Sequence, residues 1–444
     1  FVDLTVTAVA GPKIGADLGL TPTGIAWIAN AYMVALAAAM AIGGRLGDIF
    51  GKRTTFLAGV VGFAGASALC GAATSAEILI AGRVLQGLSA CLMQPASSAL
   101  VIETFPEGQR GRAMGVYIGV SMSFFAIGPV LGGVLSEYAG WRWVFFINLP
   151  IALAAIALIL AANTPNRRSA DRSLDLVSAG LLAAGLPLAI YALQEGADAD
   201  PATGRLRLVE PRFLAMLAAG AVLSTAFVWR QLRVTRPLVR LALLAEPRLR
   251  ANVLLIGLMQ FAMASLVVQG SIYAQDVLGY SAARAGASLM PMLIPVILVA
   301  RRAGKLYDRV GVRPLARFGT IVATLGLATW GAGSIVVSYG VIATGMALLG
   351  FGVAFIMSPA NTDTLSGVPD EARGQISGIV QTFRQVGGAA GVAFAATVAG
   401  IARAEGGTAA TAIGIAILAG AVVAALGIVV AWTMPARRVD GSSA

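Results

Sequence analysis

The chain has 444 residues, of which 58% are hydrophobic and only 12% are charged. Water-soluble domains of this size need more polar surface, so the composition predicts an integral membrane protein. The net charge of +11 would suggest nucleic-acid binding in a soluble protein, but the basic residues lie in short breaks between apolar runs. That pattern is typical of membrane topology, and we expect no nucleic-acid partner. Histidine is absent, so proton transfer would depend on carboxylates.

Fourteen apolar runs follow one another along the chain, separated by polar or Gly/Pro-containing breaks. A helix needs about 20 mostly apolar residues to cross a membrane. The first run, residues 1–10, is shorter, so we expect the sequence to begin partway through its first helix. The others are 25–46, 54–73, 78–102, 113–138, 144–162, 174–193, 213–229, 251–275, 285–303, 316–337, 339–362, 376–401 and 408–433.

The positions of lysine and arginine predict the orientation of these helices. If the first helix starts in the cytoplasm, the cytoplasmic breaks and the C-terminus carry 23 of these residues and the outer breaks carry seven. Cytoplasmic segments are enriched in Lys and Arg, so both termini are predicted to be cytoplasmic. The arginine- and alanine-rich composition is typical of a bacterial source. We therefore expect a multi-pass, monomeric protein of the bacterial cytoplasmic (inner) membrane.

Two segments recur along the chain. Residues 44–53 read GRLGDIFGKR and residues 304–313 read GKLYDRVGVR, with five identities at an offset of 260. A second pair is FPEGQRGRAMG, residues 105–115, and VPDEARGQISG, residues 368–378. These repeats predict two homologous halves in the same membrane orientation. The expected division is an N-terminal six-helix bundle at 1–162, two inserted transmembrane helices at 174–230, a cytoplasmic linker at 231–250 and a C-terminal six-helix bundle at 251–434.

Three further motifs accompany GRLGDIFGKR at 44–53, namely AGRVLQG at 81–87, GPVLGG at 128–133 and WRWVFFINLP at 141–150. Together the four motifs resemble the major facilitator superfamily. With fourteen runs, the chain looks like the drug:proton antiporter branch that has two additional helices. The resemblance implies an all-α membrane protein with the major facilitator fold, built from two six-helix bundles with a parallel repeat plus two inserted helices. In that family Gly128, Pro129, Gly132 and Gly133 would form the helix motif that marks exporters.

The first recurring segment places Asp48 at a helix boundary beside two cations. A neighbouring helix N-terminus and a further cation, for which Arg112 is a candidate, would both favour the carboxylate. The resemblance implies a cytoplasmic latch that holds one state of an alternating-access cycle, with Asp308 and Arg373 as its copy. The first latch should have one cation fewer, because Ile49 stands where the copy has Arg309. The expected latch residues are Gly44, Asp48, Gly51, Arg53, Arg112, Asp308, Arg313 and Arg373.

Asp3 is the most informative acidic residue. The first run ends about eight residues later, so Asp3 lies ~12 Å below the outer surface, near the middle of a hydrocarbon layer about 30 Å thick. An ionised carboxylate is costly there, so we expect it to face a cavity or a partner and to bind a proton. The resemblance assigns it to proton and cationic-substrate coupling, together with Arg83 near the proton path. The alternatives are a protonated Asp3 that stabilises the fold as a hydrogen-bond donor, or an acid displaced toward the truncated end of the first helix.

A substrate cavity between the halves should be apolar with a few polar groups. Arg384 is a second cation within a helix, and it could bind an anionic substrate group, counterbalance Asp3 or fix its helix in place. The candidate lining residues are Asn30, Tyr32, Gln94, Asn148, Gln260, Gln269, Tyr273, Asn361 and Arg384.

No phosphate-binding loop, metal cluster or nucleophile–base pair is visible, so we expect no cofactor, no metal and no enzymatic activity. The leading hypothesis is proton-coupled multidrug efflux of lipophilic, in some cases cationic, small molecules from the cytoplasm or inner leaflet. A second hypothesis is export or flipping of a lipid or lipidated metabolite, with Arg301 and Arg302 holding phosphate headgroups. A third is a membrane sensor or scaffold that does not transport, because fold does not fix function.

Overall fold

The computed structural model describes residues 10–435 except 12, 21, 163, 165, 170–172, 198–209, 236 and 239–240. Across these residues the fold is helical, with no strand. The helices are α1 (residues 10–11 and 13–18), α2 (Pro22–Phe50), α3 (Lys52–Gly71), α4 (Ala76–Thr104), α5 (Arg110–Tyr138), α6 (Trp143–Phe146), α7 (Asn148–Ala161), α8 (Leu176–Ala197), α9 (Pro211–Gln231), α10 (Pro247–Asp276), α11 (Ala282–Ala287), α12 (Met290–Val310), α13 (Val312–Ile335), α14 (Tyr339–Ser366), α15 (Arg373–Ala404) and α16 (Ala409–Thr433).

Ten helices of the described chain are long and apolar enough to cross a membrane. The fold is therefore the all-α membrane architecture that the sequence predicts. The count of fourteen stays a prediction, because the first run lies largely outside the described residues. Helix α12 does not qualify on composition, since five charged residues lie in its C-terminal half. Helix α10 starts at Pro247, four residues before the expected boundary at 251.

The helices pack as two groups joined along two seams. In the first group α4 packs against α2 and α3, and in the second α13 packs against α14 and α16 while α10 packs against α15. The seams between the groups are α2 against α15 and α5 against α12. The inserted helices α8 and α9 pack against each other, and α8 also contacts both α2 and α15. It therefore lies across the first seam.

A sharp turn follows α2 and α12 at equivalent positions. Gly51 has φ of 92° and Gly311 has φ of 78°, in a region that residues with a Cβ rarely adopt. Each glycine ends one helix and precedes the next, so α2 and α3, like α12 and α13, turn back on each other. This turn places the recurring segments at one end of the helix bundle. We call this end the latched end.

Candidate functional site at the interface of the two halves

Asp48 binds the start of a helix in the opposite half. Its two carboxylate oxygens accept hydrogen bonds from the backbone N–H groups of Gly374 at 2.9 Å and Gln375 at 2.8 Å. These groups belong to the first turn of α15, where the helix dipole also favours an anion. The Asp48 side chain is fully buried. We call this contact the first latch.

Asp308 makes the equivalent contact with the other half. It accepts hydrogen bonds from the backbone N–H groups of Gly111 at 2.9 Å and Arg112 at 3.1 Å, in the first turn of α5. Gly111 and Arg112 precede Gly374 and Gln375 by 263 residues, the offset of the second repeat. The two contacts are therefore pseudosymmetric, and we call this one the second latch.

The pairing of acids and helices differs from the sequence expectation. Asp48 binds the helix that Arg373 begins, and Asp308 binds the helix that contains Arg112, so the expected partners were exchanged. The reason is that each latch joins opposite halves, whereas the sequence expectation paired each acid with an arginine of its own half. Arg112 contributes its backbone N–H to Asp308.

Arg110 is a residue that the sequence reasoning missed. Its Nε donates to the carbonyl oxygen of Ile102 at 3.1 Å, and the Nε of Arg373 donates to that of Leu365 at 3.1 Å. Both pairs are related by 263 residues, so Arg110 and not Arg112 is the counterpart of Arg373. Aligning the second repeat residue by residue would have found it.

Lys52 makes the two latches unequal. Its Nζ lies 3.1 Å from both Asp48 and Glu103, with all three side chains fully buried, and donates to the backbone carbonyl of Asp370 at 2.9 Å. The equivalent residue in the second half is Val312. The expectation of one cation fewer at the first latch is therefore wrong, because a lysine four residues after the acid supplies the charge, while Arg309 in the copy is exposed.

Asp363 is a buried carboxylate of the second half, and its partners differ from those of Glu103. Arg248 binds it through two hydrogen bonds, and Asn252 donates to it at 2.7 Å. Tyr307 donates its hydroxyl to the same carboxylate at 3.0 Å. Three helices of the second half therefore meet at a saturated carboxylate, which fits a structural role.

Paired glycines allow the helices of the two halves to touch at each latch. A Cβ on Gly44 would collide with the carbonyl oxygen of Gly374, and a Cβ on Gly304 with that of Gly111. The backbones are therefore in direct contact at both seams. Arg53 and Arg313, which follow the turns at Gly51 and Gly311, are half-buried.

Arg83 lies fully buried within the first half. Its Nε donates to the carbonyl oxygen of Ile28 and its Nη1 to Oε1 of Gln86, both at 2.8 Å. The guanidinium lies 4.6 Å from the centre of the Tyr32 ring, a cation–π contact. Gln86 donates onward to Ser67 at 2.7 Å. This hydrogen-bonded network fixes Arg83 between α2 and α4.

A cavity of about 30 Å³ lies between the halves. It brings together Gln260, Asn361 and Arg384 from the expected substrate residues, and Tyr117 and Gln381 join them. Nη1 of Arg384 donates to Oε1 of Gln381 at 3.0 Å. A volume of this size holds one or two water molecules. With both latches closed, the two halves are therefore in contact around these polar groups.

A larger cavity of about 840 Å³ lies within the first half, between α3, α4, α5 and α7. Tyr32, Gln94 and Asn148 of the expected substrate residues line it, and Tyr117 lines both cavities. The sequence reasoning had placed these residues beside Gln260 and Asn361 in one cavity between the halves. The structure separates them because Tyr32, Gln94 and Asn148 face the interior of the first bundle.

The remaining expected site residues lie elsewhere. Tyr273 is buried in the second half, where its hydroxyl donates to the carbonyl oxygen of Ser334 at 3.0 Å, and Gln269 is buried on the same helix. Asn30 is half-buried on α2. The motif at 128–133 lies inside α5, with Gly128 and Gly132 buried and Gly133 half-buried. Asp3 lies outside the described residues.

Comparison with known proteins identifies relatives over most of the chain. The family model described as Major Facilitator Superfamily matches residues 1–392. The chain is 36% identical over 395 residues to the tetracenomycin C resistance and export protein of Streptomyces glaucescens, covering 88% of this chain and 72% of that protein. It is 33% identical over 407 residues to a puromycin resistance protein of Streptomyces alboniger, covering 89% and 78%.

A solved structure supports the same architecture. The proton:xylose symporter XylE superimposes with a TM-score of 0.66, covering 98% of this chain and 92% of that one, at 16% identity. At this identity the likeness concerns the fold alone.

Proposed function

Because the chain belongs to the Major Facilitator Superfamily, we propose that it exports lipophilic small molecules in exchange for protons, by alternating access between its two halves. The chain is a multi-pass membrane transporter and not an enzyme. The observation that carries the proposed mechanism is the pair of pseudosymmetric latches at Asp48 and Asp308. Two like contacts at one end of both seams form a closure that can open and reform as a unit.

Export is favoured over uptake by the names of the relatives, which are resistance and export proteins. If the Lys- and Arg-rich breaks are cytoplasmic, the latched end faces the cytoplasm. The structure then corresponds to the outward-facing state. We propose the bacterial cytoplasmic membrane as the location, with both termini in the cytoplasm, a monomer as the working unit and the N-terminal and C-terminal bundles as the two moving halves.

We assign proton coupling to Asp3, with Arg83 as a positioning residue of the first half. A proton bound from outside would neutralise Asp3, weaken its hold on a cationic substrate and favour return to the inward-facing state. For an uncharged substrate, Asp3 would act as the proton carrier alone. Gln260, Asn361 and Arg384 would contact the substrate once the latches open, because they lie where the halves meet.

The test is proton movement in proteoliposomes that contain the purified chain and an internal pH dye. A proton gradient is imposed, and ethidium or puromycin is added as the probe. We expect probe-dependent proton flux in the wild type and its loss in Asp3→Asn. The matched control is Asp17→Asn, because Asp17 is a half-exposed acid in α1.

Three results would contradict the proposal. If Asp3→Asn leaves probe-dependent proton flux unchanged, the coupling site is wrong. If no probe moves under any gradient while the protein is folded, the sensor or scaffold hypothesis gains support. Movement of fluorescent lipids but not of either probe would favour the lipid-export hypothesis.

A further inference from the structure

The connection between α7 and α8 lies on the first latch. The backbone N–H of Ser169 donates to the backbone carbonyl of Asp48 at 2.7 Å. The side-chain amide of Asn166 donates to the hydroxyl of Thr54 at 2.8 Å and accepts from its backbone N–H at 3.4 Å. Residues 166–169 are therefore bound to the end of α2 and the start of α3. We call the described residues 166–169 and 173 the strap.

The strap is fixed again where it enters the inserted helices. The guanidinium of Arg45 donates to the carbonyl oxygen of Ser173 through Nε at 3.1 Å and Nη2 at 3.0 Å. Arg45 is 1% exposed. A partly buried, charge-assisted pair of hydrogen bonds therefore holds the strap to α2, three residues before Asp48.

The strap also reaches the opposite half. Arg167 forms an ion pair with the carboxylate of Asp370, which Arg373 also binds. Asp370 precedes α15, the helix whose first turn binds Asp48. Arg167 therefore adds a side-chain link across the seam that the first latch closes.

The space around the glycine turn also differs between the two latches. A Cβ on Gly51 would collide with the side-chain amide of Asn166, whereas a Cβ on Gly311 would meet no atom within 4 Å. The close approach of the strap thus depends on glycine at 51. The turn at Gly311 has free space at the equivalent position.

We propose that the strap positions the first latch and couples its opening to the inserted helices. Arg167 must release Asp370 before α2 and α15 can separate, so the strap adds to the stability of the latched state. Because the strap continues into α8, which itself lies across the seam, a movement of the inserted helices is transmitted to Asp48. Among the residues that the structure describes, no equivalent link spans the second latch. The inference does not depend on proton coupling.

The test uses a pair of spin labels on symmetric positions of the latched end. Phe50 and Val310 are 55% and 49% exposed and belong to opposite halves. Labels at Phe50→Cys and Val310→Cys, in a background with Cys70 and Cys91 replaced by serine, report the separation of the halves. We expect Arg167→Gln to raise the ratio of open to latched molecules about two- to fivefold, the range expected for a partly exposed ion pair.

The matched control is Arg168→Gln, which removes an exposed charge from the neighbouring position. We expect Arg168→Gln to leave the ratio of open to latched molecules unchanged. We expect Arg167→Lys to retain most of the latched population, because lysine keeps the positive charge. Adding Arg167→Gln to Asp370→Asn should cause no further opening, because the link is already lost. Equal effects of Arg167→Gln and Arg168→Gln, or full additivity with Asp370→Asn, would overturn the proposal. The spin-label distances are measured without a substrate. A negative result for the strap can therefore be distinguished from a negative result in the transport assay.

Discussion

Asp48 and Asp308, 260 residues apart, each accept two backbone hydrogen bonds from the first turn of a helix in the opposite half. Only Asp48 also has a buried lysine beside it. The geometry of the two latches is thus the same, but their electrostatic environments differ. Substitutions at the two acids should therefore give unequal effects.

We predict that Asp48→Asn opens the latched end more than Asp308→Asn. The asparagine at 48 leaves Lys52 with Glu103 as its remaining carboxylate partner within 4 Å in the described chain. Losing charge-assisted hydrogen bonds costs about 1.5–3 kcal/mol at either acid, and Asp48→Asn also removes the ion pair with Lys52, which keeps Glu103 as its partner. The spin-label pair at 50 and 310 measures both effects. A larger opening in Asp308→Asn would show that Lys52 contributes little.

Glycine-to-alanine substitutions should separate the halves. Gly44→Ala and Gly304→Ala each place a methyl group against the backbone of the opposite half. We expect either change to reduce the latched population at least about fivefold, because overpacking costs about 1–3 kcal/mol. Gly65→Ala is the control, since a Cβ there meets no atom within 4 Å. If the distance between the spin labels in Gly44→Ala equals that in the wild type, the helices accommodate the methyl group without separation of the two halves.

The two helix-embedded arginines should respond differently to substitution. Arg83→Gln leaves the buried carbonyl of Ile28 without its donor, which costs about 1–3 kcal/mol, so we expect a lower melting temperature in detergent. Arg384→Gln changes the wall of the inter-half cavity, so we expect altered transport of the probes with a smaller change in melting. A melting loss in Arg384→Gln as large as in Arg83→Gln would indicate that Arg384 fixes its helix in place.

The end of the bundle opposite the latched end should show a pH dependence that comes from Asp17. Hydrogen bonds from the Trp141 indole and the Arg142 guanidinium, each 2.9 Å long, hold the pKa of Asp17 below its usual range. A lowered pKa in the folded state gives stabilisation that is complete above about pH 4 and is lost as the pH falls through the lowered value.

Melting curves between pH 7 and pH 3 test whether stability is lost as the pH falls. We expect the wild type to lose slightly more stability than Asp17→Asn over that interval, because the asparagine cannot be protonated. The effect should be small, since the Arg142–Asp17 pair is half-exposed. Identical curves for both proteins would exclude a contribution from this carboxylate.

The sequence repeat predicted the residues at the latches but not their partners. An offset of 260 or 263 shows which residues are equivalent, and so marks Asp48, Asp308, Gly44 and Gly304. It cannot show that each acid crosses to the other half, because that contact joins residues more than 190 positions apart through the packing of whole helices.

The cavity residues were harder to predict for a related reason. A polar residue in an apolar run can face a cavity, a neighbouring helix or the other half, and one sequence does not give the rotation of each helix about its axis. Tyr273, which donates to the carbonyl of Ser334, and Gln260, which lines the inter-half cavity, lie on the same helix α10. Their residue types alone do not distinguish these two environments.

Helix α8 touches α2 on one side of the seam and α15 on the other. Once those two helices part, α8 can stay with only one of them, and its surface on the other must meet lipid instead. In the proposed cycle the inserted pair therefore moves with one half, and the properties of the bilayer around that pair enter the energetics of the cycle.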